Sequence, residues 1–343
     1  MRSLLNPTSG GGTSWTGTTA CVTGSVCTYQ NDWYYQCVPG VSTATTTPAS
    51  STKTSTSSTS SPTLPINANY WFSFGDSYTQ TGFDPALTLP AIGNPLGNPT
   101  YPGYTATGGE NWVDYVTTKF NNSLLFTYNY AYGGATIDAT LVAPYTPTVL
   151  SLTDQVNQFL SGAGTQPVAT PWTSTNSLFS IWIGINDIGN SYYLGGDRDA
   201  FSETLLTVEF TLVQKLVCLY SNVGARNFLF VNVPPIDRSP LMTAQGTSAT
   251  SLEASVITGF NSKLSQYAAA FKANNTGVTI YFWDSNTQFS TILDNPSAYG
   301  FIDNSTIGSN SNDFWGNNYH PSSYAHYYFG QEVGQVVLKN TIW

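Results

Sequence analysis

Charge is what this sequence has least of: only 8% of its 343 residues are charged, against roughly 25% in ordinary soluble chains. Lys and Arg together number 10 against 19 Asp and Glu, which leaves a net charge of −9 and no basic run anywhere. Phosphate backbones and anionic membranes need such runs, so nucleic acid and membrane surfaces are excluded as partners. Long hydrophobic runs are missing too; no stretch approaches the roughly 20 apolar residues that span a bilayer. Histidine occurs only as His320 and His326, and no Cys-x-x-Cys pair exists, so neither residue type reads as a zinc site. A secretion leader is also missing, because Met1-Arg2-Ser3-Leu4-Leu5 runs at once into Asn6-Pro7.

What is present is apolar and neutral polar. Hydrophobic residues make up 41% and aromatics 14%, ample for a large core under a surface of neutral side chains. Residues 42–65 are almost wholly Ser, Thr, Pro and Ala, the composition of an extended O-glycosylated stalk that buries nothing. Asn121-Asn122-Ser123, Asn274-Asn275-Thr276 and Asn304-Ser305-Thr306 match the N-glycosylation pattern. Both features place the chain outside the cell. The expected organisation is a small module over residues 1–38, a linker over 39–65 and a large domain over 66–343.

In the small module Cys21, Cys27 and Cys37 cluster, and a disulfide staple is the better reading of their spacing. Gly11-Gly12-Thr13-Ser14-Trp15-Thr16-Gly17, Cys21, Gly24, Cys27, Asn31, Trp33-Tyr34 and Gln36-Cys37 closely resemble the fungal family 1 cellulose-binding module. The resemblance implies a Cys21–Cys37 bridge and a partner for Cys27 where this chain has Gly10. It also implies a flat face for sugar rings, here Trp33 and Tyr34 helped by Asn31 and Gln36. An upstream aromatic is replaced by about Pro7. Met1 therefore reads as a start that cuts away a leader and the module's first turn, the alternative being a remnant that no longer folds.

From residue 66 onward, short apolar runs alternate with helical stretches, which predicts one α/β domain with a parallel sheet covered by helices. Strands are expected near 71–74, 124–130, 178–183, 228–233 and 278–283, and helices near 112–120, 149–160, 201–220, 252–271 and 324–338. Cys218, in the apolar helical run, reads as a buried thiol.

Acyl transfer needs a nucleophile, a base and donors aimed at the developing oxyanion. Gly75-Asp76-Ser77 ends the first strand and can present the Ser77 hydroxyl at the carboxyl edge of the sheet. Tyr132-Gly133-Gly134-Ala135 follows the second strand and offers the Gly134 N–H. Gly184-Ile185-Asn186-Asp187 follows the third and offers the Asn186 amide, and His320-Pro321 opens the last helix. These four blocks, in this order, resemble the SGNH (GDSL-type) hydrolases, whose three-layer, flavodoxin-like fold is the implied architecture. The resemblance makes Ser77 the nucleophile, His320 the base, and the N–H groups of Ser77 and Gly134 with the Asn186 amide the oxyanion hole.

Longer runs such as Asn94-Pro95-Leu96-Gly97-Asn98-Pro99, Asn111-Trp112-Val113-Asp114-Tyr115 and Tyr128-Asn129-Tyr130-Ala131 look like fungal acetyl esterases of carbohydrate esterase family 16. That implies deacetylation of short xylo-oligosaccharides and related sugars without metal or cofactor, with acetylated oligosaccharides as partners, while the resemblance of the N-terminal module adds a cellulose surface. One position departs from the SGNH pattern: three residues before the base stands Asn317, where an Asp is usual. Asn317, Asp313 or a main-chain carbonyl is left to orient His320. Trp315 and Tyr319 are candidates for a sugar platform, and His326 reads as a packing residue. A lipase or broad thioesterase, and a carbohydrate-binding pseudoenzyme, are the competing functions.

Overall fold

The computed structural model describes residues 68–219 and 224–343 in full and, before them, the backbone of three strands: β1 (Ser9–Gly10), β2 (Ser25–Asn31) and β3 (Tyr34–Pro39). These pair antiparallel in the order β1-β3-β2. Asn31, Tyr34 and Gln36 lie on β2 and β3, while Trp33, Cys21 and the linker lie outside the described residues, as do the side chains of the expected disulfide staple.

The large domain is built on β4 (Asn69–Gly75), β5 (Leu125–Asn129), β6 (Ser177–Trp182), β7 (Asn227–Val231) and β8 (Thr279–Trp283). All neighbours pair parallel in the order β5-β4-β6-β7-β8. The chain thus starts in the sheet interior and reverses its winding after β5, the doubly wound arrangement with its switch point at the ends of β4 and β6. The helices are α1 (Trp112–Tyr115), α2 (Leu152–Ser161), α3 (Ile185–Gly189), α4 (Arg198–Val217), α5 (Pro240–Thr243), α6 (Thr247–Asn274), α7 (Ser285–Asp294) and α8 (Ser323–Glu332). α4 packs between α2 and α6 over one face, while α1 and α8 pair over the other.

Strand periodicity explains the two layers. Along β4, Trp71 meets Trp112 of α1 at 5.4 Å between ring centroids, and the next residue, Phe72, meets Phe159 of α2 at 4.8 Å on the opposite face. Trp182 and Trp283 extend the first cluster, 4.8 Å apart, and Phe179 and Trp172 extend the second. Every residue of β4, β5 and β6 is buried, as expected of a sheet covered on both sides. Each such ring contributes on the order of 1.5–3 kcal/mol through burial.

The five expected strands are all present, and the expected helices at 112–120 and 324–338 end in π-helical turns, Val116–Phe120 and Val333–Val337. The sequence pattern predicts none of three helices, α3, α5 and α7, of which α5 is a four-residue turn begun by Pro240. α3 is a single short turn, and α7 shows its apolar face only as Phe289, Ile292 and Leu293 among polar residues, capped by the Asp284 carboxylate on the Thr287 N–H. Cys218 is half-buried at the end of α4 and accepts from Gln214 Nε2 at 3.4 Å, which corrects the expectation of a buried thiol.

Candidate active site

Ser77 follows β4 in a turn held by its own neighbours. The N–H groups of Thr79 and Gln80 donate to the Asp76 carbonyl, and the Tyr78 N–H donates to Asp76 Oδ1 at 3.0 Å. Asp76 is fully buried, and burial pushes its carboxyl up to about 8. Gly75 admits no side chain here, because a Cβ would come within 2.4 Å of the Trp182 carbonyl oxygen on β6. Gln155 of α2 clamps the same residue, accepting from Gly75 N–H at 2.9 Å and donating to Gly75 O at 2.8 Å. Behind the turn, Asn111 and Asn129 both donate to the Thr79 carbonyl, at 2.8 and 2.6 Å.

Ser77 Oγ lies 2.7 Å from His320 Nε2, and His320 Nδ1 lies 3.0 Å from Asn317 Oδ1. The Asn317 oxygen also accepts from the N–H of Tyr319 at 2.9 Å and of His320 at 2.8 Å. The loop therefore wraps around one amide oxygen, which sets the imidazole plane. Burial lowers the His320 pKa to about 4, so the ring is neutral at neutral pH and can accept a proton. Asp313 faces away: its carboxylate accepts from the N–H and side chain of Asn310, both at 2.9 Å. His326 is buried, accepting from Trp112 N–H through Nδ1 at 3.3 Å.

Gly134 adopts φ +81°, and the Tyr145 ring stands where a Cβ would be, 2.3 Å from that position. The N–H groups of Ser77 and Gly134 make no hydrogen bond among the described residues. Asn186 lies on α3, its amide donating to Ala135 O at 2.9 Å. Its neighbour Asp187 is fully buried and accepts twice from Ile137 N–H, at 3.0 and 3.1 Å, which ties α3 to the loop that carries Gly134.

Ser77, Gly134, Asn186 and His320 line one open cleft of about 720 Å³. Its walls add Gln80, Phe83, Tyr104, Tyr132, Tyr145 and Tyr319. Trp315 is not among them; fully buried, it donates to Asn304 O at 2.9 Å and belongs to the core, which corrects its placement in a sugar platform. Gln155, Asn111, Asn129 and Tyr145 were not singled out from sequence. Asn111 and Asn129 stand in aromatic runs, but nothing local marks Gln155 or Tyr145, and the partners of Gln155, Asn111 and Asn129 lie far away in the chain.

Residues 72–333 match the family model described as GDSL-like lipase/acylhydrolase, and residues 11–34 match the fungal cellulose binding domain. The chain is 42% identical over 258 residues to an acetylesterase of Thermothelomyces thermophilus, covering 75% of this chain and 84% of that protein. It is 30% identical over 173 residues to an acetylesterase of Hypocrea jecorina, covering 48% of this chain and 47% of that protein. The solved structure of the native M. smegmatis aryl esterase is similar at TM-score 0.43 and 14% identity, over 79% of this chain and 99% of that one. With a serine and an imidazole in hydrogen-bond contact on a five-stranded parallel sheet, and a family match across that whole domain, the chain belongs to the GDSL-like lipase/acylhydrolase family and is a carboxylic ester hydrolase with a fungal cellulose-binding domain at its N-terminal end.

Proposed function

We propose that this protein is a secreted acetylesterase that releases acetate from acetylated xylo-oligosaccharides and related sugars, held near cellulose by its N-terminal module. The observation that carries the reading is the relay from Ser77 Oγ through His320 to Asn317 Oδ1, at 2.7 and 3.0 Å. His320 Nε2 takes the Ser77 proton as Oγ attacks the acetyl carbon. The carbonyl oxygen gains negative charge and is met by the N–H groups of Ser77 and Gly134 and by the Asn186 amide. Collapse of the tetrahedral intermediate expels the sugar oxygen, which takes the proton from His320. Water, activated by the same imidazole, then releases acetate and restores Ser77.

The substrate class is supported by the cleft walls. Tyr104 and Tyr145 are 71% and 77% exposed at the rim, and no Lys or Arg among the described residues lines the cleft, which suits neutral sugar rings over anionic groups. The Tyr145 ring packed on Gly134 narrows the space beside Ser77 and favours a small acyl group. The relatives in two fungi are named acetylesterases. Exposure of Asn274 and Asn304 is compatible with glycan attachment at both. Trp33 and Tyr34, with Asn31 and Gln36, are the proposed cellulose contacts.

Acetate release from acetylated xylo-oligosaccharides, measured beside cleavage of long-chain esters and thioesters, tests the reading. Wild-type enzyme should release acetate, and Ser77→Ala and His320→Ala should each abolish release. Preference for long-chain esters or thioesters would overturn it in favour of a lipase or thioesterase, and no turnover of any ester would leave a carbohydrate-binding pseudoenzyme.

A further inference from the structure

A second cavity of about 480 Å³ opens on the other side of Asn186 and Tyr319, and these two residues line both it and the cleft of Ser77. Its floor includes Glu253 of α6, which is 0% exposed; neither of its carboxyl oxygens has a hydrogen-bond partner among the described residues. A buried polar group left unpaired destabilises a fold, so α6 carries a loss here that no structural need explains. Burial pushes the Glu253 carboxyl up to about 8, and at neutral pH it offers one donor and one acceptor.

The rim supplies a flat apolar face. Tyr193 is 60% exposed and stands edge-on to Tyr192, with centroids 5.3 Å apart. Tyr192 is itself held by its hydroxyl on Gln245 Oε1 at 3.2 Å. No Lys or Arg among the described residues lines the cavity, so none of them offers an anionic ligand a counter-charge there.

We infer that this cavity is a second saccharide subsite, which takes the neutral sugar ring next to the acetylated one, stacked on Tyr193 with a ring hydroxyl paired to Glu253. The inference rests on the acetylesterase reading and adds chain-length selectivity to it, because only a substrate longer than one sugar reaches past Tyr319.

The test compares kcat/KM for monoacetylated xylotriose with that for monoacetylated xylose. Wild-type enzyme should favour the trisaccharide, and Tyr193→Ala should cut that ratio roughly tenfold, the factor that about 1.4 kcal/mol gives. Glu253→Leu should lower the ratio while keeping or raising Tm, since it removes an unpaired buried carboxyl. Glu253→Gln, which keeps a donor and an acceptor, should retain the ratio. A wild-type ratio near one, or an unchanged ratio in both Tyr193→Ala and Glu253→Leu, overturns the subsite while the acetylesterase reading stands. Failure of wild-type enzyme to deacetylate even the monosaccharide overturns both, so the two failures are distinct.

Discussion

At position 317 a neutral amide stands behind the base, and its consequences are chemical more than geometric. The Asn317 oxygen fixes the imidazole through three short contacts, yet it adds no charge to stabilise the imidazolium that the proposed mechanism forms as Ser77 attacks. Nothing therefore offsets burial, which holds His320 near pKa 4, and the base form persists into acid. The acid limb of kcat/KM should accordingly lie near pH 4 to 5, well below the ordinary histidine value of roughly 6.5. Asn317→Asp should keep or raise kcat and move that limb toward neutrality; in serine proteases the reverse exchange costs about 10⁴ in kcat. Asn317→Ala should lose far more activity than Asp313→Ala, whose carboxylate serves Asn310. Equal losses in the two alanine variants, read from pH–rate profiles, would show that Asn317 does not orient the base.

The active residues are only as well placed as the elements under them. α2 reaches β4 through Gln155, which satisfies both main-chain groups of Gly75 immediately before the nucleophile turn. Gln155→Ala leaves the Gly75 N–H without its acceptor, while the Gly75 carbonyl keeps the Tyr132 N–H at 3.0 Å, and should cost about 1–3 kcal/mol of stability, readable as a lower urea midpoint. It should also lower kcat more than it raises KM, because the turn shifts while the cleft walls stay. α3 acts at the same level, carrying Asn186 into the cleft and Asp187 into the adjoining loop. Asn186→Ala should reduce kcat by roughly 10²–10³ with KM little changed, as expected for a donor felt only in the transition state. A large rise in KM at constant kcat would instead make Asn186 a ground-state contact.

Over the whole molecule, burial has trapped more acids than bases. Asp76, Asp114, Glu209 and Glu253 are pushed up to about 8 and Asp187 to about 7, while His320 and His326 are pushed down to about 4 and 3. A carboxyl raised in the fold holds a proton that the unfolded chain has released. Its stabilising share is full below about pH 4 and is lost as pH climbs through 7 to 8. The lowered imidazoles act oppositely: their share is full above about pH 6.5 and is lost as pH falls through 4. Five acids outweigh two bases between these limits, and above pH 6.5 the acids act alone. Tm should therefore fall from pH 5 to pH 8 in calorimetry, and Glu209→Gln should flatten the slope. A Tm that rises over that range would mean that these carboxyls ionise freely in the fold.

Short continuous apolar runs settle much of this protein before it folds. The apolar run Tyr70 to Phe74 predicts a strand covered on both sides, and glycines near Ser77, Gly134 and Asn186 mark where strands end, so the sheet and the places of these candidate residues on it were legible from local pattern. α7 was not, because its apolar face is three residues in a polar run, and neither was the inward turn of Trp315, since composition does not distinguish a platform from a core. Which side chain orients His320 was left open by the sequence, with Asn317 and Asp313 both in range. The return of the 317–320 loop around one oxygen assigns that contact to Asn317, while Asp313 turns to Asn310. Gln155, 80 residues from Gly75, and Glu253, on the floor of a cavity formed with α3 and Tyr319, take their roles from partners that only tertiary packing brings near. An apolar run is written in neighbouring residues, whereas a hydrogen bond across the sheet depends on how the chain closes.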